Sequence, residues 1–294
     1  GNPGAYPGII DLYDISVDCR APVFKSSTPF GTLGHESGMA PDGMTYYSAS
    51  PGSPTLTAVD ISNLMLPIPL TIADVQSHGL TISEDGNRAY VAAGGDAGMI
   101  ILDVSDIQSR KASPQMREIS RVSWPELSIP QNAIPVTIGG HRFVVEIDEF
   151  GAQSLVGAGR IINIDDETKP VVVSNLRLEV HEPENFDAQA NDAGANNPLQ
   201  GYAGHYCNVP KRTDPGIVAC SMILSGLRVF DIRDPYHPRE VAYFNPPPKA
   251  LSTPTNSGSY AMSSPSFVPE RREIWYTDGN TGFYVLRVTN GMWQ

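Results

Sequence analysis

The sequence has few cysteines, few basic residues and no long apolar run. Three cysteines in 294 residues are too few for the disulfide scaffold that holds many small secreted domains together. The 32 aspartates and glutamates outnumber the 20 lysines and arginines, so the formal net charge is −12. Because phosphate binding needs a basic surface, we expect no nucleic-acid partner. No run approaches the 18 or more apolar residues of a membrane-spanning helix, so we expect no membrane span.

Glycine and proline are abundant instead. The chain contains 27 glycines and 26 prolines, and 40% of its residues are hydrophobic. This apolar content is ample for a core, and the turn-forming residues favour many short strands joined by tight turns. The length allows either one large all-β domain or two ordinary domains.

One phrase recurs along the chain. An apolar strand ends in Asp, an apolar residue and Ser or Arg, and a proline and a second apolar strand follow. The copies lie at 11–16, 57–62, 101–105 and 228–233, with degenerate copies at 162–165 and 285–289. Self-similarity at about 40 to 65 residues indicates repeated supersecondary units. The recurrent Asp is expected to bond the backbone N–H groups of its own turn, although a repeated calcium site is the alternative.

Each repeat is interpreted as four strands. Asp-Gly turns at 42–43 and 85–86 lie between alternating apolar runs, which is the strongest short-range signal for a hairpin. Four-stranded antiparallel units at this spacing are typical of propeller blades. We therefore predict an all-β fold, a β-propeller with at least five four-stranded blade units and six or seven in the complete protein. The units lie at about 34–74, 78–122, 131–178, 205–244 and 263–288.

The two ends of the chain do not complete a blade. Residues 9–15 and 22–25 are interpreted as third and fourth strands, without a first and second before them. The C-terminus supplies a first, a second and a third strand. We predict that residues 1–294 form a single β-propeller domain that begins mid-blade. Either upstream blades belong to the same precursor, or the ring is irregular.

The recurring phrases resemble the LVIVD repeat of bacterial propeller proteins, which are often exported. The residues that carry the resemblance are Leu12-Tyr13-Asp14-Ile15-Ser16, Ile101-Leu102-Asp103-Val104-Ser105 and Val229-Phe230-Asp231-Ile232. The motif is a strand-and-turn signature, so the resemblance implies a fold and transfers no catalytic residue. It also implies a secreted or cell-surface location.

The three cysteines leave two interpretations open. Cys207 and Cys220 flank a turn and would face each other across a hairpin, where a disulfide is sterically possible. The alternative is two small buried residues packed together. Cys19 is left over, which in an exported chain suggests a partner outside this segment.

Three histidines are candidate metal ligands. His35 lies seven residues before Asp42, and His78 lies seven residues before Asp85, so both occupy the same place in their units. His205 begins a first strand in a similar setting. Because first strands line a propeller's central channel, the three imidazoles are predicted to converge on the channel mouth, as a zinc, iron or copper site requires. The alternative is polar channel filling without a metal.

Two glutamates are candidate acid/base groups. Glu146 shares a strand side with Asp148, and Glu36 follows His35 directly, so either could serve as a general base or support a ligand. For Glu146 the alternative is a solvated strand end. Glu179 and His181 are predicted on an outer strand, and the other two histidines at the surface.

These residues suggest two functions. The leading hypothesis is an exported propeller with a His-lined pocket for a small molecule, which is held either directly or through a bound metal. The competing hypothesis is a non-catalytic propeller that binds a protein or polymer through loops at 182–204 and 246–263. No nucleophile elbow, phosphate loop or dinucleotide fingerprint is present, so the sequence does not decide whether the protein is an enzyme.

Overall fold

The computed structural model describes residues 8–31, 35–151, 155–185, 187–188, 201–247 and 259–293. About half of the residues are in strands and 5% are helical. The chain divides into two compact units, Gly1–Val122 and Ser123–Gln294, which are treated separately below. The expectation of a single domain stays a prediction. In the described part of the chain, no helix has the length and apolar character needed to cross a bilayer.

The first unit contains a two-stranded hairpin and two four-stranded antiparallel blades. The hairpin strands pair as the predicted third and fourth strands of an incomplete blade. A four-residue helix, α1, follows the third strand of blade 2. The hairpin consists of β1 (Gly8–Asp14) and β2 (Val23–Gly31), blade 1 of β3 (Gly38–Met39), β4 (Thr45–Ser48), β5 (Leu56–Asp60) and β6 (Ile68–Ala73), and blade 2 of β7 (Ser77–Ile82), β8 (Arg88–Ala93), β9 (Met99–Asp103), α1 (Ser105–Gln108) and β10 (Arg117–Val122).

The second unit contains three blades. Blades 3 and 4 join into one eight-stranded sheet through a single parallel pair between Glu149 and Gly204. Blade 5 has three strands in the described residues. Blade 3 consists of β11 (Ile129–Ile138), β12 (His141–Glu149), β13 (Gly159–Asn163) and β14 (Val171–Leu176), blade 4 of β15 (Gly204–Asn208), β16 (Ile217–Met222), β17 (Gly226–Asp231) and β18 (Arg239–Phe244), and blade 5 of β19 (Ser266–Val268), β20 (Glu273–Asp278) and β21 (Gly282–Arg287). Short 3-10 turns occur at Glu179–His181, Pro183–Asn185 and Pro269–Arg271.

The repeated phrase forms the same turn in five of its six copies. A side-chain oxygen at the end of the third strand accepts a hydrogen bond from the backbone N–H two residues later. The acceptor and donor residues, with their distances, are Asp14 and Ser16 (2.9 Å), Asp60 and Ser62 (2.9 Å), Asp103 and Ser105 (3.0 Å), Asn163 and Asp165 (3.0 Å), and Asp231 and Arg233 (3.0 Å). The bonds from Ser16 lower the pKa of Asp14 to about 2. The recurrent Asp therefore has the structural role that the sequence predicted.

Neighbouring blades are also tied together by a repeated bond. Ser26 Oγ in β2 donates to the Leu64 carbonyl of blade 1 at 2.6 Å, and Ser174 Oγ in β14 donates to the Pro235 carbonyl of blade 4 at 2.6 Å. In both cases an outer strand reaches the third-to-fourth-strand turn of the next blade. Both units therefore use the same contact between neighbouring blades: a serine of the outer strand bonds the third-to-fourth-strand turn of the next blade.

Each unit has its own apolar core. In the first unit it includes Tyr47, Leu56 and Leu102, and in the second Phe143 and Phe230. Strands that are buried on both faces read as continuous apolar runs rather than as alternating ones. The run Met99–Asp103 shows this, since all its residues but the last are buried.

The strand register of blade 4 decides between a disulfide and two packed free cysteines. Cys207 of β15 lies directly opposite Cys220 of β16, and the two form a buried disulfide. Cys19 is an exposed free thiol.

Candidate metal centre

Two of the predicted histidines meet in the first unit together with Glu36. The rings of His35 and His78 lie edge to face with their centroids 4.6 Å apart. Glu36 Oε1 lies 3.8 Å from His35 Nδ1. One ligand atom from each of the three residues lies within 4.8 Å of the others. These three residues are the candidate metal centre.

The equivalent hairpins of blades 1 and 2 bring these residues together. The turns at Gly43 and Gly86 have the same left-handed φ, 69° and 76°, and each closes with an N–H to a carbonyl three residues earlier at 2.9 Å. The first strands β3 and β7 approach closely, since a Cβ placed on Gly38 would lie 3.0 Å from Leu80 Cδ1. Residues the same distance before the two turns are therefore neighbours.

The first strand of blade 1 is short. The predicted unit begins at about residue 34, but β3 covers only Gly38–Met39, and His35 and Glu36 lie in a bend before it. The bend places the two consecutive side chains in one cluster. On a strand they would point to opposite faces.

The three residues of the cluster differ in their exposure to solvent. The side chain of His35 is 46% exposed and that of Glu36 is 15% exposed, whereas His78 is 2% exposed. One side of the cluster thus faces solvent and the other is held in the packed interior. Two imidazoles and one carboxylate are a ligand set suited to zinc or to non-haem iron, with coordination positions left over for water or another molecule.

His205 makes a separate set of contacts in the second unit. Its Nδ1 donates to the Met262 carbonyl at 2.6 Å, and its Nε2 lies 3.1 Å from Glu149 Oε2. Both ring nitrogens are therefore engaged, and a metal at Nε2 would have to displace Glu149. The role of His205 as a metal ligand stays a prediction.

Glu146 lies in a buried charged cluster. Its carboxylate and that of Asp148 both contact the Arg160 guanidinium, with Asp148 Oδ2 3.1 Å from Arg160 Nη2. Trp124 Nε1 and the Ser128 N–H also donate to Asp148 Oδ2, at 2.9 and 3.1 Å. The Arg160 guanidinium lies 3.8 Å from the centre of the Trp124 ring. All three charged side chains are buried, so Glu146 is not a solvated strand end and does not lie where a substrate could reach it.

Burial is the main cause of the shifted pKa of Glu146 in this cluster. It raises the pKa of Glu146 well above the ordinary value, and Asp148 adds to the rise, while Arg160 opposes it. A single guanidinium cannot neutralise two buried carboxylates, so the protonated form of one of them is favoured. The raised pKa assigns that form to Glu146.

The expectation for Glu179 and His181 was wrong. Strand β14 ends at Leu176, and Glu179–His181 form a 3-10 turn instead of a strand. The turn forms because His181 caps its own backbone: Nδ1 accepts from the Leu178 N–H at 3.1 Å, and Nε2 donates to the Tyr202 carbonyl at 2.7 Å. His181 is buried in this neutral form, and burial lowers its pKa to about 4.

We expect His181 to make the second unit sensitive to acid. Because its pKa is lowered on folding, the unfolded chain binds a proton below about pH 6.5 that the folded chain does not bind until about pH 4. The free energy of unfolding should therefore fall as the pH is lowered across that window, by up to about 1.4 kcal/mol per pH unit. Urea unfolding of the wild type and His181→Gln at several pH values measures this. Identical slopes for the two proteins would contradict it.

The remaining two histidines are at the surface, as predicted. His141 Nδ1 lies 2.7 Å from Asp165 Oδ2, and His237 Nδ1 lies 2.9 Å from Asp234 Oδ2. Both rings are exposed. They provide matched controls for the buried histidines.

Comparison with solved structures identifies the fold. A protein from Lactobacillus plantarum has a TM-score of 0.66 at 12% identity, with 97% of this chain and 75% of the other covered. The periplasmic gluconolactonase PpgL of Pseudomonas aeruginosa has a TM-score of 0.63 at 12% identity, with 99% of this chain and 78% of the other covered. A putative 6-phosphogluconolactonase from Bacteroides fragilis has a TM-score of 0.63 at 11% identity, with 99% of this chain and 76% of the other covered. The predicted all-β, β-propeller fold class is confirmed, and at this identity the likeness shows the fold alone.

The repeat is identified by a family model. An LVIVD repeat matches residues 79–120, which span most of blade 2 and include the phrase at 101–105. The repeat expected from the sequence is therefore present. No protein with a curated function matches the sequence.

Sequence reasoning missed part of each cluster. Glu36 was assigned to acid/base chemistry or to the support of a ligand, because on a strand its side chain would point away from that of His35. The bend that brings it into the ligand set has no signal in the local sequence. The contact of Glu149 with His205 was missed because it depends on the parallel pair between blades 3 and 4. The loops of the competing hypothesis, 182–204 and 246–263, lie largely outside the described residues.

Proposed function

We propose that the protein is an exported β-propeller that binds a divalent transition-metal ion through His35, Glu36 and His78 and uses it to hold a small molecule. The observation that carries the proposal is the mutual approach of three ligand atoms to within 4.8 Å. Ligands of a tetrahedral zinc are about 3.3 Å apart at the usual bond lengths of about 2.0 to 2.2 Å. The remaining distance is within reach of side-chain rotation by the half-exposed His35.

The proposed site takes a borderline metal rather than calcium or magnesium. Imidazole ligands suit zinc, iron and copper, whereas calcium and magnesium prefer oxygen ligands alone. Three protein ligands leave at least one position open, and a metal with an open position can polarise a bound oxygen or lower the pKa of a bound water. In this proposal Glu36 is a ligand and not the acid/base group that the sequence suggested.

The proposed export is supported by the disulfide in blade 4. Cross-links of this kind form and persist in oxidising compartments and are rare where thiols are kept reduced. The buried pair Cys207 and Cys220 would be stable outside the cytosol. The disulfide and the LVIVD repeat support the secreted or cell-surface location that we propose.

Metal analysis of protein purified without an affinity tag tests the proposal. We expect about one zinc, iron or copper ion per chain. Glu36→Gln should weaken metal affinity by about 100-fold or more, because losing a direct ligand costs at least as much as losing the partner of one. Glu36→Gln keeps the size of the side chain and removes only its charge and its strong ligand atoms. Isothermal titration of metal-stripped protein with zinc measures the affinity.

His237→Gln is the matched control, because His237 is exposed and paired with a single aspartate. It should bind zinc as the wild type does. The proposal fails if the wild type holds no stoichiometric metal, or if His237→Gln loses affinity as much as Glu36→Gln. Circular dichroism melts of both variants separate a lost ligand from a lost fold.

A further inference from the structure

A cavity lies in the second unit, where hairpin turns of three blades meet. Its volume is about 830 Å³. The walls come from the turns between β11 and β12, between β15 and β16 and between β19 and β20, and residues 291–293 close one side. We call this cavity the turn cleft. Its volume lies in the range of about 300 to 1,000 Å³ that is usual for small-molecule sites.

The turn cleft is basic in an acidic protein. It is lined by Lys211, Arg233 and Arg272, and its one acidic residue is Asp214. Asp214 Oδ1 already accepts a hydrogen bond from the Gly139 N–H at 2.8 Å, so part of its charge is used to hold the adjacent turn. The chain as a whole carries 32 acidic and 20 basic residues. Basic residues thus outnumber acidic ones in the turn cleft, whereas acidic residues outnumber basic ones in the whole chain. A local excess of positive charge favours an anionic ligand.

The cations of the turn cleft differ in how they are held. Arg233 is fixed, since its Nη2 donates to the Met292 carbonyl at 2.8 Å and its Nε lies 3.5 Å from Asp231 Oδ1. Among the described residues, Lys211 and Arg272 have no carboxylate within salt-bridge distance. The neighbouring Arg271, by contrast, lies 3.1 Å from Glu273 Oε2. Two of the three cations in the cleft are thus available to a ligand.

The backbone of Arg272 is strained. It adopts the left-handed conformation, with φ of 55°, which costs a non-glycine residue about 1 kcal/mol or more. Its N–H bonds the Pro269 carbonyl at 3.0 Å and closes the turn. A glycine would relieve this strain but would remove one of the two available cations from the turn cleft.

Trp293 supplies an aromatic wall to the turn cleft. Its ring packs at right angles to that of Phe267 with the centroids 5.1 Å apart, so the indole is held in place. An indole face binds flat or ring-shaped groups, and buried aromatic area contributes strongly to small-ligand affinity. The cleft therefore offers one wall for a ring and two available cations for a charge.

We propose that the turn cleft binds a small organic anion, with a phosphate or carboxylate group between Lys211 and Arg272 and a ring against Trp293. Guanidinium and ammonium groups bind phosphate and carboxylate through charge-assisted hydrogen bonds. The site is distinct from the metal centre, because all its residues belong to the second unit.

Calorimetric titration with phenyl phosphate tests the proposal. The full chain is first stripped of metal on a chelating resin, so that phosphate bound by a metal at His35 and His78 does not contribute. We expect saturable binding that Lys211→Gln and Arg272→Gln each weaken about tenfold, the usual effect of losing a hydrogen bond to a charged group. Benzoate in place of phenyl phosphate distinguishes a carboxylate ligand from a phosphate ligand, and binding of either supports the site.

Arg271→Gln is the matched control, since Arg271 is adjacent to Arg272 and is paired outside the cleft. It should change the affinity by less than about twofold. Tryptophan fluorescence should change on binding in the wild type and not in Trp293→Phe. This difference would place the ligand in the turn cleft. The proposal is overturned if neither anion binds, if neutral phenol binds as tightly, or if Arg271→Gln weakens binding as much as Arg272→Gln.

Discussion

Replacement of Arg160 by methionine is expected to lower the free energy of unfolding by about 3 to 5 kcal/mol, the usual cost of removing one partner from a buried ion cluster. Methionine fills much of the same volume, so the loss reflects charge rather than a cavity. Without Arg160, the buried Asp148 keeps only the N–H groups of Trp124 and Ser128 to offset its charge. Guanidinium chloride unfolding followed by tryptophan fluorescence measures the change.

Glu146→Gln in the same cluster is expected to cost less than about 1 kcal/mol at neutral pH. Because the raised pKa favours the protonated form of Glu146, the amide replaces a neutral group of the same shape, and its oxygen can still accept from Arg160. An effect as large as that of Arg160→Met at neutral pH would show that Glu146 is ionised and that the protonation assigned above is wrong.

The pH dependence of the pair follows from the same assignment. The pKa of Glu146 is higher in the folded than in the unfolded chain, so its contribution to stability is complete below the unfolded pKa of about 4.5 and is lost as the pH rises towards the folded pKa. Glu146→Gln should therefore gain stability relative to the wild type as the pH is raised. A difference that is independent of pH would contradict this.

Loss of the disulfide in blade 4 is expected to have an effect of similar size. The cross-link closes a loop with a sequence separation of 13 residues, and a loop of about 15 residues is worth about 3 kcal/mol in the chain-entropy model. The double variant Cys207→Ala, Cys220→Ala should lower the melting temperature by about 6 to 12 °C. Differential scanning calorimetry of the oxidised wild type and of the double variant measures the shift.

Cys19→Ser is the control for this prediction, because Cys19 is exposed and unbonded. It should change the free energy of unfolding by less than about 0.5 kcal/mol. Thiol titration of the denatured, unreduced wild type should find only Cys19, and reduction should release Cys207 and Cys220. Equal melting temperatures for the oxidised wild type and the double variant would contradict a stabilising role of the bond.

The repeat and its turns were predictable because their causes are local. An Asp whose side chain bonds a backbone N–H two residues later needs only its own turn, so the phrase at 101–105 predicts the same geometry that is found at Asp103. The pairing of His35 with His78 was also accessible, since equal spacing to equivalent turns places equivalent residues on adjacent strands.

The bend at His35 and the 3-10 turn at His181 were not predictable in the same way. In both places the apolar and polar pattern is compatible with a strand. The outcome depends on bonds to distant residues, such as His35 N–H to the Ala49 carbonyl and His181 Nε2 to the Tyr202 carbonyl. The same holds for Glu146, whose alternation with Asp148 gives their shared side but not the guanidinium that faces them.

The sequence by itself determined the β-propeller fold, its LVIVD repeat, the five blade units and the structural role of the turn aspartates. These depend on strand periodicity and on hydrogen bonds within a few residues. Only the tertiary structure decided which other charged groups meet: Glu36 with the pair of His35 and His78, Glu146 with Arg160, and the cations of the turn cleft with one another. Electrostatic contacts join residues from different strands and turns, and their strength depends on burial, which local sequence does not specify.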